Sequence, residues 1–230
     1  MRALLIVPLL GSGLLFAADE GEDKAPQRLE ASREVLEELA GIPEGIPRDL
    51  LAKAECVGVI PSTKKFALGV GGRYGKGVVA CRTDAGRGAW GPPLMVSLGG
   101  GSFGLQIGGQ AADYVFLIMN PKGIDNLLKS KFTLGADAAV AAGPKGRTAE
   151  AATDARMRAE ILTYSRTRGV FAGISLEGAV LSQDDDANRR LYGEKVSSRD
   201  LLLEPGQPIP APAKGLIAAL DRLSPPRRGP

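Results

Sequence analysis

The chain has 230 residues, enough to bury a substantial core as one domain with tails, and its formal charge of +3 selects no class of partner. It contains no histidine, which excludes Ser-His-Asp and Cys-His catalysis and imidazole-ligated zinc. Aromatic residues make up 5% of it, too few for a nucleic-acid stacking platform.

Residues 1–18, MRALLIVPLLGSGLLFAA, hold Arg2 and then an apolar run that stops at the acidic DEGEDK. Pro8, Gly11 and Gly13 interrupt the run, which falls short of the about 20 apolar residues of a membrane span. It reads as an export signal, so the protein is expected in the periplasm or cell envelope. An acidic linker (19–26), a single domain (27–204) and a Pro-rich tail (205–230) are expected after it.

PQRLEASREVLEELAG repeats apolar residues at Leu29, Val35, Leu36 and Leu39 and ends at Gly41, the pattern of an amphipathic helix with a glycine cap. IPRDLLAKA predicts a second, short helix. Cys56 and Cys81 then fall in the apolar, strand-like runs AECVGVI and GVVACR. They either pair in an oxidising compartment or sit apart as buried thiols.

Glycine is unusually frequent, 31 residues in all. FALGVGGRYGKGVV at 66–79 and FGLQIGGQAADYVF at 103–116 match in Phe, Leu, a branched aliphatic and a double glycine, 37 residues apart. Alternating Phe, Leu and Val or Ile predicts strands, with the glycines at bends, bulges or close approaches. Fainter echoes start at Phe132 and Phe171, and these phenylalanines are expected in the core. The first copy imitates a phosphate loop but fails as a Walker A motif, because Val70 and Gly77 stand where glycine and Ser or Thr are required. GGGSFG at 99–104 satisfies GxGxxG, yet a strand pattern follows it where a dinucleotide site needs a helix. No nucleotide and no cofactor are expected.

RTDAGRGAWGPP reads as a loop with Trp90 near its tip. NPKGIDNLLKSK predicts a turn and a short helix, AEILTYSR and GVFAGISLEGAVL a hairpin across TRG, and SQDDDANRRLYG an N-cap and helix. The three aspartates 184–186 lack the calcium-loop glycine and terminal glutamate, so capping outweighs metal binding and no metal site is expected. The tail predicts a linker and one short helix in AKGLIAALDRL. Glu160, Glu177, Asp113, Asp125, Asp137 and Asp154 are the carboxylates open to acid/base work, but ion pairing and capping suit each better.

Charge is unevenly spread. Residues 19–38 carry eight acids against three bases, whereas 64–87 carry six bases against Asp84 alone. That segment is either an anion-facing surface or a solvated sheet edge.

The runs VIPSTKKFALGVGGRYGKGVVACR, GGSFGLQIGGQAAD, VFLIMNPKGIDNLLKSKFTLGADAAVAAGPKGR and ATDARMRAEILTYSRTRGVFAGISLEGAVL closely resemble the SYLF lipid-binding domain family, also called the YSC-type actin-binding domain family, over about Leu29 to Leu203. The resemblance implies a non-catalytic protein that binds lipid or an anionic headgroup in the manner of the phosphoinositide-binding eukaryotic members, here in a bacterial envelope. A structural or protein-binding module, actin-binding in fungal members, is the alternative, with a protein partner reached through the Pro-rich tail. Lys64, Lys65, Arg73 and Lys76 match basic positions of the family segment and are the first candidates for headgroup contact, presented on a turn; Lys122, Lys131, Lys145 and Arg147 are a second tier. The fold expected is α+β, a glycine-rich, mainly antiparallel sheet, sandwich or barrel-like, with flanking helices.

Overall fold

Strands that are apolar at successive positions need cover on both faces, and CVGVI, GVVAC and YVFLI have that pattern. The computed structural model describes residues 24–42, 45–68, 70–103, 108–144, 159–167, 170–193 and 197–227. Two helices, α1 (Ala25–Gly41) and α2 (Arg48–Lys53), lead into β1 (Cys56–Leu68) and β2 (Val70–Cys81). A single turn, α3 (Thr83–Gly86), precedes β3 (Leu94–Phe103), β4 (Gly108–Ile118) and α4 (Pro121–Leu127). Short strands follow: β5 (Lys131–Thr133), β6 (Val140–Ala142), β7 (Ile161–Thr167), β8 (Val170–Gly173) and β9 (Val180–Gln183). The chain closes with α5 (Asp185–Tyr192), α6 (Ser198–Leu203) and α7 (Lys214–Leu223).

The strands form one curled sheet, a half-barrel ordered β5-β9-β3-β2-β1-β4-β7-β6 with β8 also on β7. All pairings are antiparallel except that of β6 with β7, and β4-β1-β2-β3 is a Greek key. The fold is α+β with a glycine-rich, mainly antiparallel sheet, as the sequence predicts. Alternate residues feed two cores. Val57, Val59, Val78, Ala80, Val115 and Leu117 meet Leu29, Val35 and Leu36 of α1 and Leu216, Ile217 and Leu220 of α7. On the opposite face Ile60, Val79, Val96, Tyr114 and Phe116 meet Leu127, Phe132, Leu201 and Leu202. Among the repeated phenylalanines, Phe132 is buried as expected.

One irregularity organises the centre. β1 holds one extra residue against both neighbours, since Val59 pairs with Val78 and Lys64 with Tyr74, while Ile60 pairs with Tyr114 and Thr63 with Ala112. Ser62 takes the left-handed region in this bulge, with φ of 49°, and its N–H donates to Asp113 Oδ1 at 2.8 Å. Opposite the bulge β2 carries Gly75 and Gly77. A Cβ at Gly75 would lie 2.7 Å from Ile60 Cγ2, and one at Gly77 would collide with the Val59 carbonyl and lie 2.7 Å from Ile60 Cα. These glycines of the phosphate-loop lookalike are there because β1 swells against them.

The short-range readings hold where residues are described. Asn120 caps α4, accepting from Gly123 N–H at 3.1 Å, and Asp184 caps α5, accepting from Ala187 N–H at 3.2 Å. β7 and β8 form the antiparallel arms of the expected hairpin. Other readings need correction. Arg73 and Lys76 lie within β2, not on a turn. Of the two alternatives left open for Cys56 and Cys81, the paired one is found: they face each other across β1 and β2 and are joined as a disulfide. Trp90, in the loop after β2, is turned inward: it is 2% exposed, stacked 4.3 Å from the Arg82 guanidinium, with Nε1 donating to the Ser224 carbonyl at 2.9 Å. The short helix expected in the tail is α7, and it is built into the core beside α1. The segment after it runs along α2, where Arg227 donates to the Ala52 and Ala54 carbonyls.

Candidate functional site

Residues directly opposite in an antiparallel ladder project to the same face, so the register sorts the four leading cations into two pairs. Lys64 lies opposite Tyr74, and Lys65 opposite Arg73. Tyr74 and Lys76 share the parity of Val78 and so belong to the face that α1 and α7 cover, here called the helix-covered face. Lys65 and Arg73 belong to the opposite face with Tyr114, and the Lys65 ammonium sits 5.6 Å from the centre of the Tyr114 ring. A single four-cation patch therefore does not exist.

On the helix-covered face Lys76 is already engaged. Its Nζ lies 3.0 Å from Asp184 Oδ2, the oxygen that also takes Arg28 of α1 at 3.0 Å. Burial raises the pKa of Asp184, but hydrogen bonds from Lys76, the Ala187 N–H and Arg28 outweigh it and hold the carboxyl below its ordinary value. Lys64 is exposed and has no carboxylate beside it among the described residues.

The opposite face is different. Lys65 and Arg73 are half-buried like charges in directly opposed positions, an arrangement that costs stability when nothing lies between them. No carboxylate accompanies either among the described residues. Arg73 Nε and the Tyr114 hydroxyl are both shielded from solvent without a hydrogen-bond partner. Buried polar groups are nearly always satisfied, and both of these can still take an acceptor. An oxyanion supplies several acceptor oxygens at once and offsets both charges.

The second tier lies apart. Lys122 is exposed on α4, beyond the Ile118 end of β4, whereas Lys64 and Lys65 pair near its Gly108 end. Lys131 is exposed on β5, three strands away from β2. Lys145, Arg147 and Asp154 lie outside the described residues. The carboxylates are occupied structurally: Asp113 takes Ser62 N–H and Arg166, Asp137 takes Thr133 N–H at 2.6 Å, and Glu160 takes Asn126 Nδ2 at 3.3 Å. Glu177 is exposed at the Gly135 turn and Asp125 is exposed on α4. No group of three metal-ligating side chains occurs among the described residues. Tyr114 is the site residue that sequence reasoning missed. Its signal was positional, since it occupies in the second repeat the place that Gly77 holds in the first.

The chain is thus a curled, mostly antiparallel half-barrel flanked by helices, with the Lys65–Arg73 pair on the face opposite α1 and α7. The family model described as Ysc84, Las17-binding protein actin regulator, matches residues 99–223, and the chain belongs to that family, whose domain is also called SYLF. It is 38% identical over 165 residues to SH3 domain-containing protein PJ696.02 of Schizosaccharomyces pombe, covering 70% of this chain and 38% of that one. LAS seventeen-binding protein 3 of Saccharomyces cerevisiae is 31% identical over 195 residues, 84% of this chain and 42% of its own. SH3 domain-containing YSC84-like protein 1 of Homo sapiens is 33% identical over 180 residues, 78% and 52%. The chain thus spans 38% to 52% of the length of these relatives.

Proposed function

We propose that this protein is a non-catalytic binder of anionic lipid headgroups in an oxidising cell envelope, and that Lys65 and Arg73, with Tyr114, take the phosphate. The carrying observation is the opposed Lys65–Arg73 pair beside two orphaned buried polar atoms. The paired Cys56 and Cys81 suit an exported protein. Export itself rests on residues 1–18, outside the described residues.

Co-sedimentation with vesicles tests the reading. Binding is expected to vesicles of phosphatidylglycerol with phosphatidylcholine and not to phosphatidylcholine alone, and to weaken as salt is raised. The Lys65→Gln/Arg73→Gln double variant should lose about 2 kcal/mol, roughly thirtyfold in affinity, while Lys122→Gln/Lys131→Gln should bind as the parent does. Folded parent protein that ignores both vesicles overturns the proposal.

A protein partner is the second reading. Pro205, Pro208 and Pro212 are exposed on the approach to α7, and extended prolines are what aromatic grooves recognise. Pull-down of a partner lost in Pro205→Ala/Pro208→Ala would support it.

A further inference from the structure

We propose that Asp113 is a positioning residue of the anion site: it holds the bulge of β1, and through the bulge it decides that Lys65, and not its neighbour Lys64, stands opposite Arg73. The proposal rests on the reading that Lys65 and Arg73 take the phosphate.

The bulge faces a single residue of β4. Ile60 pairs with Tyr114 and Thr63 with Ala112, so Pro61 and Ser62 share the position of Asp113. β1 lies between β2 and β4, and inside a sheet a proline, which has no N–H to give to a ladder, is accommodated at bulges. Ser62 is then held in the left-handed region, with φ of 49°, a conformation that costs a residue other than glycine and persists only where its surroundings enforce it.

Asp113 supplies the enforcement with two oxygens in two tasks. Oδ1 accepts the Ser62 N–H at 2.8 Å, and Oδ2 accepts from Arg166 Nε at 2.6 Å. Arg166 is the cross-strand partner of Asp113 on β7 and also meets Glu38 of α1. The carboxylate is thereby held from behind in the orientation that Ser62 requires.

Two registers compete because the lysines are adjacent. With the extra residue in place, Lys65 pairs with Arg73 and Lys64 with Tyr74. Without it, the pairing of Val59 with Val78 would continue to Lys64 opposite Arg73 and turn Lys65 to the helix-covered face. A lysine faces Arg73 in both registers, and what the bulge sets is which one.

The test is co-sedimentation of the full chain with vesicles of phosphatidylglycerol and phosphatidylcholine, comparing Lys64→Gln with Lys65→Gln in the parent, in Asp113→Leu and in Asp113→Thr, whose hydroxyl ends one bond short of the carboxylate oxygens. Cross-strand nuclear Overhauser contacts identify the partner of Arg73 in each protein. In the parent, Lys65→Gln should weaken binding about fivefold, the share of one cation near the surface, and Lys64→Gln should weaken it less. In Asp113→Leu and Asp113→Thr this order should reverse, and the contacts of Arg73 should pass from Lys65 to Lys64. Asp113→Asn, which keeps an oxygen for the Ser62 N–H, should retain the parental order and contacts. Parental order and contacts in a cooperatively folded Asp113→Leu or Asp113→Thr overturn the proposal, as does a reversal in Asp113→Asn as complete as that in Asp113→Leu. Loss of cooperative folding in both the Leu and the Thr variants also overturns it, because a positioning role leaves the fold standing. Parent protein that ignores the vesicles refutes the phosphate reading instead, and the contacts of Arg73 then still decide whether Asp113 sets the register.

Discussion

Glycine inside a strand weakens it unless the missing side chain makes room for something, and at Gly77 the space is filled by the backbone of β1. Because a Cβ there would overlap the Val59 carbonyl and lie 2.7 Å from Ile60 Cα, relief requires moving the bulge itself. Gly77→Ala is expected to cost about 3 kcal/mol, the upper range for overpacking. Gly99→Ala meets nothing within 4 Å and should stay within about 0.5 kcal/mol of the parent. Urea denaturation checks both, with the effect in the midpoint and an unchanged slope. Equal stability of the two variants would refute the account of GVGGRYGKGV as a strand shaped by its neighbour.

At the scale of elements, α1 is fixed to the sheet by an apolar stripe and by ion pairs near both ends. Arg28 meets Asp184, and Glu38 meets Arg166, which also holds Asp113. The two aspartates respond to acid in opposite senses. Burial pushes Asp113 up, only partly countered by the Ser62 N–H, so its ionised form costs stability and that cost fades as pH falls through its raised value. The Asp184 carboxyl is held below 3.8, so its contribution is complete above that value and is lost as pH falls through the lower folded one. Asp184→Asn keeps a good helix cap but removes the charge that Lys76 and Arg28 share. It should destabilise by about 2 kcal/mol at neutral pH, and the deficit should close as pH falls below 3.8. Thermal or urea unfolding of both proteins across pH measures this, and a deficit that persists in acid would show that charge is not its source.

The same elements show what a sequence can and cannot carry. The turn and short helix of NPKGIDNLLKSK, the aspartate cap of α5 and the stripe of α1 are codes written within a few neighbouring residues, and they were legible. Which face Lys65 occupies was not. Strict alternation from Val57 and Val59 would set Lys65 on the helix-covered face, but the one-residue bulge at Ser62 reverses the parity and sends it across with Arg73. The bulge's Ser62 N–H is taken by Asp113 of β4, 51 residues away, so the contacts that accompany the division of the basic segment into two faces are long-range. The identity of the basic residues was readable, and their grouping was not.

For the whole molecule, the end of the chain decides whether the sheet is covered. Leu216, Ile217 and Leu220 of α7 are at most 5% exposed and belong to the core shared with α1. Just beyond them Ser224 accepts from Trp90 and from Arg82 Nη2 at 2.7 Å, and its hydroxyl donates to the Leu51 carbonyl. Removing residues 205–230 would therefore strip three large apolar side chains from the core and leave the buried Arg82 guanidinium and Trp90 N–H without their acceptor. Each large-to-small core loss costs about 2–5 kcal/mol, against a total domain stability of about 5–15 kcal/mol, so the truncated chain is expected to lack a cooperative thermal transition. Circular dichroism melting of a chain ending at residue 204 checks this directly. A sharp transition near that of the parent would mean that α7 is an appendage, and deletion would then serve to test partner binding through the prolines. If the transition is lost, only substitutions such as Pro205→Ala/Pro208→Ala, which touch exposed side chains and spare α7, can separate recognition of the tail from its part in the fold.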